Sequence, residues 1–80
     1  MKKPYCYVLL EELPRVEDTL NNSKIPYHIG STLQIGHTIL IKLRAESPKS
    51  LHKIREILKE NGIETYDIQI FIPNKFITGI

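Results

Sequence analysis

The chain has 80 residues, of which 41% are hydrophobic and 25% charged, with a net charge of +2. This length holds one domain, and the composition excludes the low-hydrophobicity, high-charge signature of disordered chains. A lone cysteine, Cys6, excludes an internal disulfide, and no apolar run reaches the roughly 18 residues of a membrane-crossing helix.

Tyr5 to Leu10 reads as a strand, with Cys6, Val8 and Leu10 on one face and Tyr5, Tyr7 and Leu9 on the other. Apolar residues on both faces suit a central strand. Leu13 to Asn22 reads as a short helix. Pro14 stands in its first turn, where a missing N–H costs nothing, and Leu13, Val16 and Leu20 form the apolar stripe. Ile25 to Arg44 holds a hairpin, because Tyr27, Ile29, Leu33, Ile35, Ile39, Ile41 and Leu43 are apolar at period two. Gly30-Ser31 and Ile35-Gly36 both offer turns. A plain two-residue loop pairs odd with even positions and puts Gln34 on the core face. An odd-numbered loop, or a bulge at a glycine, keeps the odd positions together. Matched lengths favour strands near 26–33 and 38–44 with a loop over 34–37.

Ser47 to Asn61 reads as the second helix, with Ser47 as N-cap, Pro48 at the first position and Gly62 as a left-handed stop. Leu51, Ile54, Ile57 and Leu58 make its apolar face. Thr65 to Ile72 reads as the last strand, with Tyr66, Ile68, Ile70 and Ile72 facing one way and Pro73 ending it.

The order β-α-β-β-α-β is that of an α+β ferredoxin-like sandwich, an antiparallel sheet of order 4-1-3-2 with both helices on one face. Residues 1–73 form this domain and 74–80 an apolar tail. The expected core face of the sheet holds Cys6, Val8, Leu10, Ile29, Leu33, Ile39, Ile41, Leu43, Ile68, Ile70 and Ile72. The other face presents Tyr5, Tyr7 and Leu9, then Thr38, Leu40, Lys42 and Arg44, then Asp67, Gln69 and Phe71. Nothing in the helices covers it, and an exposed apolar patch on a small domain marks an interface. The expected contact residues are Tyr5, Tyr7, Leu40, Lys42, Arg44, Gln69 and Phe71, with Phe76 from the tail. The expected partner is a second copy or another protein. The tail itself, through Phe76, Ile77 and Ile80, is the competing cover.

The aromatic and basic mix also suits single-stranded nucleic acid, with bases stacked on tyrosines and phosphates on Lys42 and Arg44. The strand order resembles that of the RNA-recognition motif. The third strand, Gly36-His37-Thr38-Ile39-Leu40-Ile41-Lys42-Leu43, carries none of that family's aromatics. The layout, with its ending Lys59-Glu60-Asn61-Gly62-Ile63, is also similar to ACT-type and PII-like domains, which implies a small-ligand sensor. The turn Glu11-Glu12-Leu13-Pro14 replaces the glycine usual in ACT domains, so no ligand-binding residue carries over.

No catalytic constellation stands out. His28, His37 and His52 are scattered and lack metal spacing with Cys6. Cys6 falls on the core face, where a thiol acts as a small hydrophobe. Lys49, Lys53 and Lys59 alternate with Glu56 and Glu60 as on a solvated helix face. Met1-Lys2-Lys3 before a short apolar run, with Pro4 and Glu11-Glu12 nearby, does not read as a secretory leader. The expectation is a non-enzymatic, cytoplasmic regulator, adaptor or inhibitor with no cofactor, no metal and no membrane partner.

Overall fold

A computed structural model describes residues 4–67. The elements are β1 (Tyr5–Leu9), a 3₁₀ turn (Leu10–Glu12), α1 (Leu13–Asn22), β2 (His28–Ile35), β3 (Thr38–Arg44) and α2 (Pro48–Glu60). Both helices occupy the spans read from the sequence. In α2 the Ser47 side chain accepts a hydrogen bond from the Ser50 N–H at 3.1 Å, which satisfies one orphan donor of the first turn. At its far end the Asn61 side-chain amide donates to the Ile57 carbonyl at 2.8 Å, and Gly62 follows with a φ of 75°. Arg15, in the first turn of α1, donates to Glu12 at 2.7 Å and to the Asn61 carbonyl at 2.9 Å. The guanidinium thus ties the start of α1 to the negative end of α2.

The sheet is antiparallel with order β1-β3-β2. Its central strand β3 buries Ile41 and Leu43 toward the helices and Leu40 on the opposite side. The core joins Cys6, Val8, Ile41 and Leu43 from the sheet to Val16 and Leu20 of α1, Ile54 and Leu58 of α2, and Ala45 and Ile63. Each of its valine, leucine and isoleucine side chains contributes about 1.5–3 kcal/mol when fully buried.

The ferredoxin-like four-strand order 4-1-3-2 expected from the sequence is not what the described residues show: they form a three-stranded sheet. Of the predicted last strand, Tyr66 makes one antiparallel bridge to Tyr7 on the outer side of β1, through backbone bonds of 2.9 and 2.8 Å. One bridged residue is not a ladder, so the described chain adds an isolated contact to β1 and no fourth strand. Ile68, Ile70 and Ile72, with Gln69, Phe71 and the tail residues Phe76, Ile77 and Ile80, lie outside the described residues.

The hairpin also departs from expectation. β2 runs to Ile35, and the turn is the two residues Gly36-His37. Gly36 has a φ of 63°, which fits the type II′ turn that suits paired strands. Pairing runs Ile35 to Thr38, Gln34 to Ile39, Leu33 to Leu40 and Thr32 to Ile41, then shifts at Gly30-Ser31 before resuming with Ile29 to Leu43 and His28 to Arg44. The short loop and the bulge therefore coexist. Leu33 lies beside Leu40 on the face away from the helices, whereas Gln34 and Thr32 lie on the helix side. Ile29 and Ile39 share that side but stay 39% and 40% exposed, so neither completes the core.

Replacing Ser47 by Ala removes the α2 cap and is expected to lower the unfolding free energy by about 1 kcal/mol, read from urea denaturation of the two proteins.

Candidate functional site

The face of the sheet opposite the helices grades from aromatic and cationic to apolar. Tyr5 opposes Arg44, which opposes His28; Tyr7 opposes Lys42; Leu9 opposes Leu40, which opposes Leu33. The structure thus brings together five of the predicted contact residues, Tyr5, Tyr7, Leu40, Lys42 and Arg44. Arg44 is exposed, and Tyr5, Tyr7 and Lys42 are half-buried. Leu40 is only 4% exposed, so it supports this face from within and is not itself a contact.

The Tyr5 and Tyr7 rings meet edge to face, with centroids 5.7 Å apart and planes at 89°. The Lys42 ammonium sits 4.4 Å from the Tyr5 ring centroid and 5.9 Å from that of Tyr7. A side chain in this position is attracted to the negative ring faces. Gly30, in the β2 bulge, flanks the same lysine. A Cβ there would meet Cβ, Cδ and Cγ of Lys42 at 3.1, 3.2 and 3.3 Å. The missing side chain leaves the lysine stem a channel across the sheet. Burial and the neighbouring Tyr5 raise the Tyr7 phenol pKa, with Arg44 opposing them.

The residues that the sequence reading left out of the surface are Ile29, Ile35 and Ile39. At 39%, 38% and 40% exposure they are the large hydrophobics most open to solvent among the described residues. All three belong to the β2–β3 hairpin. A signal for them was present: no Lys, Arg, Asp or Glu occurs between Lys24 and Lys42, in a chain that is one-quarter charged. Alternation assigned Ile29 and Ile39 to the core and matched strand lengths put Ile35 in the loop, whereas the absent charges mark the stretch from Ile25 to Ile41 as a surface that avoids them.

The histidines and the remaining titratable groups are dispersed. His28 Nε2 lies 3.1 Å from Glu46, and His52 Nε2 lies 3.1 Å from Glu56, both pairs being exposed. His37 occupies the hairpin turn. A cleft of about 520 Å³ runs beside α2 and is lined by His52, Arg55, Glu56 and Lys59 together with the segment after Gly62. No three metal-ligating side chains gather among the described residues. Cys6 is buried, and burial pushes its thiol up to about 11, with Arg55 lowering it and Asp67 raising it. Such a thiol stays protonated at neutral pH. No helix of the described residues is long and apolar enough to cross a membrane.

No family model matches the chain, and comparison with curated proteins and with solved structures also finds no match.

Two outcomes check this geometry. In a double-mutant cycle, Lys42→Ala and Tyr5→Leu should couple by about 0.5–1 kcal/mol in unfolding free energy; additive effects would remove the ammonium–ring contact. The Cys6 pKa lies above its ordinary value of 9.0, so the buried neutral thiol favours folding fully below pH 9 and loses that contribution as pH rises through about 11. Over that window the protein should lose roughly 2 kcal/mol more stability than Cys6→Ala, measured by denaturant titration at both ends.

Proposed function

We propose that the protein is a non-enzymatic interaction module that engages another polypeptide, a second copy or a foreign protein, through its sheet. The β2–β3 hairpin is the main contact, and Tyr5, Tyr7, Lys42 and Arg44 form its polar-aromatic rim. One observation carries the reading: Ile29 and Ile39 on the helix side of the hairpin and Ile35 on its open side are all exposed, within a stretch from Ile25 to Ile41 that has no Lys, Arg, Asp or Glu. Apolar exposure uninterrupted by charge is a feature of protein contact surfaces, and tyrosine and arginine are residue types enriched there. A regulator, an adaptor or an inhibitor would all work in this way. The buried, unpaired Cys6 fits a reducing compartment, and a cytoplasmic location belongs to the same proposal.

Single-stranded nucleic acid is the second reading, favoured by the juxtaposition of two tyrosines with Lys42 and Arg44. It ranks lower because the Lys42 ammonium already lies against both rings that a base would stack on, and because its topological support was a four-strand order that the described residues do not show.

A photo-crosslinking side chain placed at Ile35, with Asp18 on α1 as control, separates the readings in the source cells. Protein adducts at position 35, absent at 18 and lost when Ile29→Glu and Ile39→Glu are added, are the expected result. Adducts that disappear with ribonuclease would transfer the function to RNA. Equal protein adducts at both positions, or none at 35, would remove the hairpin as the contact surface.

A further inference from the structure

We propose that two copies of the chain join through β2, edge to edge and antiparallel, so that their sheets become one across a two-fold axis. This rests on the reading of the sheet as the contact surface and names its occupant. Among the described residues β2 pairs with β3 alone, which leaves its other edge open. Ile35 and Thr38 close a two-residue turn and so exchange backbone hydrogen bonds with each other. Alternation along an antiparallel pair then turns the N–H and C=O groups of Gln34 and Thr32 away from β3, toward the free edge. Such a row of donors and acceptors is complementary to an extended strand.

Edge strands are ordinarily guarded by lysine, by proline, by an inward-pointing charge or by a bulge. β2, His28-Ile29-Gly30-Ser31-Thr32-Leu33-Gln34-Ile35, has none of the first three, and its half beyond the bulge, Thr32 to Ile35, lacks the last as well. The bulge at Gly30-Ser31 confines regular pairing to the half from Thr32 to Ile35, which fixes where a partner strand docks. The charge pattern selects the occupant. A strand without formal charge offers nothing to choose a charged foreign segment, and when it meets its own copy no like charges oppose one another. A two-fold axis normal to the sheet keeps each face with itself, so Leu33 and Ile35 meet their counterparts on the open side and Thr32 and Gln34 theirs on the helix side. No β2 residue belongs to the buried core, so the helix layers leave this strand room to be joined.

The test is light scattering of the purified chain from low to high micromolar concentration, together with amide hydrogen exchange. The wild type should reach twice the chain mass, and the Thr32 and Gln34 amides should slow by about tenfold or more as it does so. Thr32→Lys and Gln34→Pro should each hold the chain monomeric with unchanged circular dichroism, because neither change touches the pairing of β2 with β3. Tyr7→Glu, on the face away from the edge, should leave the dimer intact. A dimer broken by Tyr7→Glu but not by the two edge variants would overturn edge pairing in favour of face-to-face packing. A wild type that stays monomeric, with Thr32 and Gln34 exchanging freely, would overturn self-association altogether. Neither result touches the interaction-module reading, which the crosslink at Ile35 decides separately.

Discussion

One extra residue in β2 governs much of what this molecule presents to solvent. A strand has two faces and a side-chain period of two, so a single inserted residue reverses every assignment beyond it. The shift at Gly30-Ser31 does this between Ile29 and Thr32. Below it, Ile29 points with Leu43 toward the helices; above it, Leu33 and Ile35 point the opposite way and Gln34 and Thr32 take the helix side. Polar side chains thereby occupy a position that a regular hairpin of the same sequence would fill with isoleucine and leucine. The helices cannot bury that half of the sheet profitably, and Ile39 is left open beside it.

The same bulge shapes the far side of the sheet. Because Gly30 has no side chain, the stem of Lys42 passes close along it and delivers the ammonium to Tyr5 and Tyr7 on the opposite flank of β3. Three strands are thus coupled through one lysine. Aromatic rings held by a cation and by each other keep fixed orientations, and a surface of fixed shape loses less freedom when it is covered. The row of Leu9, Leu40 and Leu33 continues this face toward the hairpin tip.

The helices were legible because their signals are local. Ser47-Pro48 and Pro14 set the starts, Gly62 sets a stop, and Val16, Leu20, Ile54 and Leu58 fall on the stripes that become the core. The adjacency of β1 and β3 was also legible, since it follows from the order of strands and helices along the chain. The hairpin register was not. Its period-two pattern was consistent with a short turn or with a bulge, and the chain uses both, so that Ile29, Leu33 and Ile39 could not be placed from alternation alone. The fourth strand is a different case: pairing is a non-local event, and the described part of that segment, up to Asp67, shows a single bridge from Tyr66 to Tyr7. Of the surface, Tyr5, Tyr7, Lys42 and Arg44 followed from strand parity, while the hairpin isoleucines required the absence of charge to be read as information.

The bridge between Tyr7 and Tyr66 has a kinetic meaning. It joins the first strand to the end of the described chain, closing a longer loop than any other hydrogen-bonded pair there. The entropy of closing a loop rises with its length, whereas the hairpin and both helices form from neighbours in sequence. Because this closure spans the most chain, the Tyr7–Tyr66 bridge is the last of the described backbone pairings to form during folding and the first to be released. The protection of the Tyr7 and Tyr66 amides against exchange is a direct gauge of how often that release occurs.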